Sequence, residues 1–347
     1  MKRIVRLFER VDVLLLALCI VLACLLVVRY GCEFSEAAVS AGKLPPAAQQ
    51  QSDAATPPSA SKPAKEGAPV RFLMYNTQNY FVDADVKRSR YERRIKPVDE
   101  REKVAEVIAE AKPEIVGLIE IGGPAALNDL AERLQRRGLN YPHRTVLTRW
   151  GEERALAVLS MHPIVEDHSV ADAKLVGQTA RNMLRGILDV TVEVPGKSPR
   201  RFRVVGAHLK SRKDTDAEAA RSLRAREART LAAHLQNALK AHPTQPLLVY
   251  GDWNDGPSEP ALAVLTQGPD RSRTLSRLQP KDSRGESWTI YYKPADEYNT
   301  FDQIYVNDAL IQRLRRFKRK HPAEMGIVDK PTGRGYSDHR AVWCDLL

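Results

Sequence analysis

Two short acidic motifs, far apart in the chain, hold residues whose types and spacing could do chemistry. They are GDWND at 251–255 and SDH at 337–339. The apolar run before the first motif predicts a strand ending at Asp252, and strand periodicity returns Asn254 to the same side two residues later. A carboxylate and an amide are therefore expected to converge on one spot.

Further polar residues stand at the ends of other predicted strands. They are Asn76 in NTQN (76–79) after RFLMY, Glu120 after IVGLI, His208 after RFRVVGA and Asp302 before QIYV. Carboxylate and amide oxygens suit a hard divalent cation, and Mg2+ is usually held by one or two carboxylates together with water and substrate phosphate. The set predicts a single pocket that binds Mg2+, with Mn2+ or Ca2+ as alternatives.

The order of these residues resembles the motif series of the endonuclease/exonuclease/phosphatase superfamily, which includes deoxyribonucleases, abasic-site endonucleases, sphingomyelinases and inositol polyphosphate 5-phosphatases. The resembling residues are Asn76, Glu120, His208, Asp252, Asn254, Asp302, Asp338 and His339. The likeness covers about residues 70–347. LSMHPI (159–164) resembles a strand and turn of the family, and HLKSR (208–212) with the Arg-rich helix after it resembles the bacterial secreted nucleases. It implies a four-layer α/β sandwich of two packed mixed sheets flanked by helices, and a metal-dependent phosphodiester hydrolase.

The resemblance also implies a metal shell. Glu120 is the first choice for a ligand, and Asn76 and Asp338 complete or orient the shell. Taken singly, an Asp or Asn at a strand end is more typical of a turn or a helix cap than of a catalytic site. The joint order of the residues favours the site.

The remaining resembling residues would divide the work of catalysis. Asp252 and Asn254 would orient or deprotonate the attacking water, and His208 would bind a phosphate oxygen or assist the leaving group. His339 would act as base or phosphate donor, held in its tautomer by Asp302. The sequence leaves the identity of the base open.

Helical patterns are predicted at 98–111, 124–137 and 216–240. The third opens with a capping box from Thr215 to Glu218. These helices would cover the outer faces of the sheets.

Apolar runs at 115–119 and 246–250 predict strands that are buried on both faces. By contrast, apolar and polar residues alternate in 186–194, which predicts a strand with one face in water.

The first 69 residues differ in composition from the rest. A basic segment, 1–12, precedes an uncharged apolar run, 13–28, and residues 29–69 are rich in Ala, Pro and Ser. We interpret 13–28 as a signal anchor or transmembrane helix and 29–69 as a flexible linker. The excess of basic residues before the run places the N-terminus in the cytoplasm and the catalytic domain, 70–347, in the periplasm or outside the cell. Alternatives are secretion after signal cleavage and a lipoprotein attached through Cys24.

Charge favours a polyanionic substrate. Residues 70–347 carry 46 Lys and Arg against 37 Asp and Glu, a net charge of +9. Asn79, Lys210 and Arg212 are predicted to contact the substrate. Arg181 and Arg185 could meet a phosphate, but each is more typical of a solvated surface.

A basic cluster at 313–320 contains six Lys or Arg in eight residues. It could contact a phosphate backbone or an anionic lipid, or form a solvated edge.

The preferred function is a membrane-tethered, extracytoplasmic, Mg2+-dependent phosphodiesterase that acts as a monomer, most simply a nuclease on DNA or RNA. Phospholipid or inositol phosphate hydrolysis is the alternative within the same fold. A non-catalytic anion-binding module is the alternative from another class, but a domain without chemistry would be expected to have lost some of these residues.

Overall fold

The computed structural model describes residues 69–82, 95–213, 215–268, 274–318, 324–333 and 335–346. The predicted basic segment, apolar helix and most of the predicted linker lie outside these residues. Among the helices that are described, none combines the length and the apolarity needed to cross a membrane.

Two six-stranded sheets form the centre of the fold. The first sheet contains, in spatial order, β15 (Met325–Ile327), β16 (Val342–Leu346), β1 (Val70–Tyr80), β2 (Ile115–Ile121), β4 (Glu152–Ser160) and β3 (His143–Arg149). The second contains β11 (Ser276–Arg277), β14 (Asp302–Val306), β10 (Leu247–Asp252), β9 (Arg200–His208), β8 (Leu188–Val194) and β5 (Ile164–Asp167). Both sheets are mixed, because β1 and β2 run parallel, as do β9 and β10, while the other neighbours are antiparallel.

Shorter elements surround the sheets. Two hairpins are formed by β6 (Lys174–Leu175) with β7 (Gln178–Asn182) and by β12 (Ile290–Tyr292) with β13 (Glu297–Asn299). The α-helices are α1 (Val98–Ala111), α2 (Pro124–Gln135), α3 (Ala217–Ala241), α4 (Ala263–Thr266) and α5 (Asp308–Lys318). Single 3-10 turns occupy Pro260–Leu262 and Lys293–Ala295.

Alternation along the central strands builds three apolar layers. On β1, Phe72 and Met74 pack between the two sheets, whereas Leu73 packs under α1 and α2. On β10, Tyr250 packs between the sheets, and Val249 packs under α3. Two mixed sheets packed face to face with helices outside confirm the expected α/β sandwich.

Two glycines make room for an aromatic ring between the sheets. A Cβ atom on Gly117 in β2 or on Gly206 in β9 would lie 2.6 Å from the Tyr250 ring. The ring therefore fits between the sheets only because both positions lack a side chain. Tyr250 also donates a hydrogen bond across the interface to the carbonyl of Ala157, at 3.1 Å.

The predicted helices are close to the observed ones, with two corrections. The second ends at Gln135 rather than 137, because the chain turns at Gly138, whose φ is +82°. The N-cap of α3 is Asp216, not Thr215: its carboxylate accepts the Ala219 amide hydrogen at 2.8 Å.

The prediction of a wet face on the 186–194 strand is wrong for two of its three polar residues. Of the three polar residues of β8, Asp189 and Thr191 are fully buried, and Glu193 is partly exposed. Asp189 accepts hydrogen bonds from Arg203 of β9 at 2.8 and 2.6 Å and lies 2.6 Å from the His234 imidazole on α3. Asp189 therefore belongs to a buried ionic cluster beneath α3, whereas Thr191 donates a hydrogen bond to Glu166 at 2.8 Å.

Candidate active site

The parallel strand pairs bring four of the predicted residues to one edge of the sandwich. Asp252 is directly opposite His208 in the β9–β10 pair. In the other sheet, Asn76 is opposite Ile119, so Glu120 follows one residue beyond. Parallel strands end at the same edge of a sheet, and both pairs carry polar residues there.

The antiparallel neighbour β14 adds Asp302 directly opposite Asp252. Asp302 in turn holds His339: its Oδ2 lies 2.7 Å from His339 Nδ1, and both residues are buried. His339 Nε2 is left facing Asp252 Oδ2 at 3.8 Å. Asp302 thus fixes the ring so that its second nitrogen is directed into the site.

Asn76 joins the two sheets. Its amide donates a hydrogen bond to Asp252 Oδ2 at 2.9 Å and lies 3.4 Å from His339 Nε2. Ser337 donates to the Asn76 carbonyl at 2.7 Å and accepts the His339 amide hydrogen at 3.0 Å. The serine of SDH therefore secures the backbone of the site, a role that the sequence reasoning did not assign.

Asn254 orients Asp252 through its backbone. Its amide N–H donates to Asp252 Oδ1 at 3.0 Å, and its side-chain NH2 donates to the Leu209 carbonyl at 3.1 Å. The first contact aligns the Asp252 carboxylate, and the second ties the end of β10 to the loop after β9.

The site perturbs the pKa of Asp252. Burial first, and then the negative charge of Asp302 and Glu120, raise the pKa of Asp252 to about 7, although the charge of His339 opposes this. A carboxylate with this pKa can accept a proton near neutral pH.

The pKa values of His208 and His339 are shifted in opposite directions. Burial lowers the pKa of His208 well below its usual value, and the charge of Arg185 lowers it further, so this imidazole is neutral. Burial also acts against charge on His339, but Asp302 and Asp252 outweigh it and raise the pKa of His339 well above its usual value.

The donor set fits a cation. Glu120 Oε1 and Asp252 Oδ2 lie 3.9 and 3.6 Å from the same nitrogen, His208 Nε2. Ligand atoms of Asp252, Asp302 and His339 lie within 4.8 Å of one another. Asp302 Oδ1 is buried with no hydrogen-bond partner among the described residues. Several carboxylates that converge in a buried space repel one another, and a divalent cation relieves that repulsion.

Asp338 differs from the other predicted metal ligands, because its side chain is 29% exposed and lies 3.8 Å from His339 Nε2. Its amide hydrogen is bound by Gln78 Oε1 at 3.1 Å. Asp338 therefore lies at the open rim of the site.

Left-handed backbone is concentrated at this edge. Four of the six described non-glycine residues with positive φ are in or beside the site: Gln78, Asn79, Glu120 and Asn254. Such conformations cost free energy and persist where the surroundings impose them, which is common at functional sites.

The three residues that were predicted to contact the substrate have different surroundings. Asn79 donates its amide hydrogen to Glu120 Oε2 at 3.0 Å and accepts from Arg154 at 2.8 Å. Lys210 follows the end of β9 and is partly buried. Arg212 donates to the Asn254 carbonyl at 2.9 Å, so it braces the loop after β10. Contact with substrate stays a prediction for all three.

Two arginines lie at the site. Arg154 was not identified from the sequence, and Arg185 was named as a possible phosphate contact but was expected to be solvated. Arg154 Nε lies 3.6 Å from Glu120 Oε2. Arg185 is buried, and its Nε lies 3.4 Å from Glu152 Oε2, which corrects the expectation of a solvated surface; Arg181 is exposed. The antiparallel pairing of β2 with β4 could have revealed Arg154, because β4 begins where β2 ends.

Glu227 was also missed. It lies in the middle of α3, fully buried, and accepts the amide hydrogens of Leu184 at 2.9 Å and Lys210 at 2.6 Å. It ties the segments before β8 and after β9 to the helix. Its spacing from Ala220 and Leu231 places it on the apolar face, and a charged residue there was a signal in the sequence.

Comparison with known proteins agrees with this geometry. The sequence profile of the Endonuclease/Exonuclease/phosphatase family matches residues 76–339, from Asn76 to His339. The chain belongs to this family. It is a hydrolase of phosphoester bonds, and the family is metal-dependent. No curated protein sequence matches the chain.

Solved structures share the fold at low identity. The human Nocturnin catalytic domain with bound sulfate is 19% identical, with a TM-score of 0.54 over 80% of this chain and 94% of that one. Truncated Caenorhabditis elegans TDP2 is 14% identical, with a TM-score of 0.55 over 81% and 98%. Sphingomyelinase C from Streptomyces griseocarneus is 19% identical, with a TM-score of 0.53 over 81% and 100%.

Proposed function

We propose that the chain is a Mg2+-dependent nuclease, tethered to a membrane with its catalytic domain outside the cytoplasm. The observation that carries the chemistry is the register that sets Asp252 between His208 and Asp302, with His339 held against Asp302. This arrangement offers a proton acceptor, a neutral imidazole and a charged imidazole around one space.

Glu120 and Asn76 would hold the metal ion, and Asp338 at the rim would orient it or its water. When bound, the cation supplies positive charge that stabilises the phosphorane-like transition state and the leaving oxygen. Mg2+ is favoured because the donors are mainly carboxylate and amide oxygens.

Asp252 would accept the proton of the attacking water. Its carboxylate is aligned by Asn76 at 2.9 Å and by the Asn254 amide at 3.0 Å, and its raised pKa suits a base near neutral pH. Because one hydrogen bond holds each oxygen of the Asp252 carboxylate, the carboxylate keeps one orientation, and that orientation would set the direction from which the water attacks.

His339 would bind a phosphate oxygen. Its raised pKa favours the imidazolium, which donates a charge-assisted hydrogen bond from Nε2. His208, whose lowered pKa keeps it neutral, would donate a second hydrogen bond or assist the leaving oxygen.

A nucleic acid is the preferred substrate because residues 70–347 carry a net charge of +9. Tethering is supported by the uncharged run 13–28 and by the basic residues that precede it. Protease protection of the full-length chain in intact cells tests the location: an extracytoplasmic domain is digested by protease added outside, and a cytoplasmic one is spared.

The substrate is tested by offering the full-length chain DNA, RNA, sphingomyelin and an inositol polyphosphate, with Mg2+ or with chelator. We expect metal-dependent cleavage of a nucleic acid. His339→Ala should abolish it, and the matched control His242→Ala should not, because His242 is exposed at the end of α3. Turnover of a lipid or inositol ester alone would replace the nuclease proposal with the alternative from the same fold.

A further inference from the structure

A cavity of about 440 Å³ lies between the end of β1 and the start of α1. Its walls include Gln78, Asn79, Lys96, Glu100 and Tyr336. Pockets that bind small molecules commonly measure about 300 to 1,000 Å³, so the space is large enough for one nucleoside. The proposed mechanism assigns no part of the substrate to it.

The cavity shares a wall with the active site. Gln78 Oε1 accepts the amide hydrogen of Asp338 at 3.1 Å. The Asn79 amide donates to Glu120 Oε2 at 3.0 Å. The two wall residues are therefore bonded to two of the proposed metal-site carboxylate residues. A phosphate held at the metal site has its neighbouring nucleotide beside this cavity.

Lys96 is a buried cation in the cavity wall. It is only 5% exposed, and its Nζ lies 3.6 Å from Oε2 of Glu100 in the first turn of α1. Burial lowers the pKa of Lys96, whereas the carboxylates of Glu100, Asp338 and Glu120 act in the opposite direction. The wall therefore carries an ion pair rather than a lone positive charge.

The other charges near the cavity are also paired. Lys103 Nζ lies 5.6 Å from the centroid of the Tyr336 ring and 4.0 Å from Asp99 Oδ2. Because a carboxylate accompanies each of the two lysines, this region has no excess of positive charge to hold a second phosphate. The charge balance favours a neutral, polar group of the substrate.

A nucleobase has the matching chemistry. The ammonium of Lys96 and the carboxylate of Glu100 place a hydrogen-bond donor next to an acceptor. The edges of nucleobases present acceptors and donors side by side in the same way, and proteins read unpaired bases through these edges. The partly buried side chains of Ile95 and Tyr336 add apolar surface against which a flat ring can pack.

We propose that this cavity binds the base of one of the two nucleotides that flank the scissile phosphate, with Lys96 and Glu100 bonded to the edge of that base. This rests on the proposed nuclease function and makes the two residues determinants of base preference. A base inside a duplex is paired along this edge, so the substrate strand must present it unpaired.

The experiment uses the full-length chain and an end-labelled single-stranded oligonucleotide in which one nucleotide is replaced by a stable tetrahydrofuran abasic residue. Cleavage is mapped bond by bond as kcat/KM. We expect one of the two bonds beside the abasic residue to be cut about tenfold more slowly than in the intact oligonucleotide, the size of a lost base contact. More distant bonds should be cut at unchanged rates.

Lys96→Met keeps the length of the side chain and removes its charge. In this variant the abasic residue should cost little, because the contact is already lost. Glu100→Gln is the second variant, since Glu100 is 33% exposed and its replacement keeps the shape, and it should also reduce the abasic effect. Lys112→Met is the matched control, because Lys112 is exposed at the other end of α1, and it should retain the full effect. Urea unfolding checks that each variant is folded.

Cleavage beside the abasic residue that equals or exceeds that of the intact oligonucleotide would overturn the cavity proposal and leave the nuclease standing. An abasic effect of unchanged size in folded Lys96→Met and Glu100→Gln would overturn it as well. A rise in KM in Lys96→Met at every bond, with the abasic effect intact, would assign the cavity to a phosphate instead. If the wild type cleaves no nucleic acid, the nuclease proposal fails, and the cavity proposal fails with it.

Discussion

Replacing Asp302 with asparagine tests the pair that it forms with His339. The two side chains are buried and joined at 2.7 Å, and Asp302 makes the largest contribution to raising the pKa of His339. Asparagine keeps the shape but removes the charge, so the ring loses its imidazolium character and its fixed tautomer. Loss of one charged donor to the phosphate oxygen costs about 10²- to 10³-fold in rate, or roughly 2.7 to 4 kcal/mol of transition-state stabilisation.

Stability should change far less than the rate. The substitution removes an attraction to His339 and also a repulsion, because the charge of Asp302 raises the pKa of Asp252. We expect these effects to offset to within about 1.5 kcal/mol in the free energy of unfolding.

The assay is steady-state kcat with urea unfolding measured in parallel. Asp308→Asn is the control, because Asp308 is an exposed carboxylate at the start of α5. A folded Asp302→Asn variant whose kcat stays within fivefold of wild type would refute the role of the pair. Global unfolding of the variant would assign Asp302 to the framework instead.

The remaining predictions concern packing, the buried ionic cluster and the metal. Gly117→Ala would push a methyl group to 2.6 Å from the Tyr250 ring between the sheets, so we expect a loss of about 1–3 kcal/mol in urea unfolding; an unchanged midpoint would contradict the tight fit. Asp189→Asn leaves Arg203 buried without its charge partner, which should cost about 3–5 kcal/mol at neutral pH. Arg203 and His234 hold the folded-state pKa of Asp189 below its usual value. The stability that Asp189 adds is therefore present above about pH 4 and is lost as the pH falls through the folded-state pKa. The difference in free energy of unfolding between the variant and the wild type must therefore shrink in acid. Mg2+ at about 100 times its Kd should add roughly 2.7 kcal/mol to the free energy of unfolding of the wild type and so raise its Tm. Because Glu120 is the proposed ligand, Glu120→Gln should remove this rise.

The local parts of the fold were predictable from the sequence. The apolar spacing over 98–111 gave the bounds of α1, and the runs before Glu120 and Asp252 gave the central strands. Because strand ends of parallel pairs share an edge, the convergence of the polar residues also followed from local pattern.

The predictions that were wrong concerned residues whose contacts lie far away in the sequence. In the sequence Asp189 of β8 looks solvated, but in the structure Arg203 and His234 cover it. Arg185 looks like a surface residue until the fold places it beside Glu152 and His208. Periodicity reports which face a residue occupies, but it does not report what covers that face.

The most direct test of the central claim is nicking of supercoiled plasmid DNA by the full-length chain, with Mg2+ or with chelator, beside Asp252→Asn. We predict nicking that requires Mg2+ and disappears in the variant while its far-ultraviolet circular dichroism and unfolding midpoint remain those of a folded protein. Nicking that persists in folded Asp252→Asn, or that is indifferent to chelator, would contradict metal-dependent hydrolysis at this site.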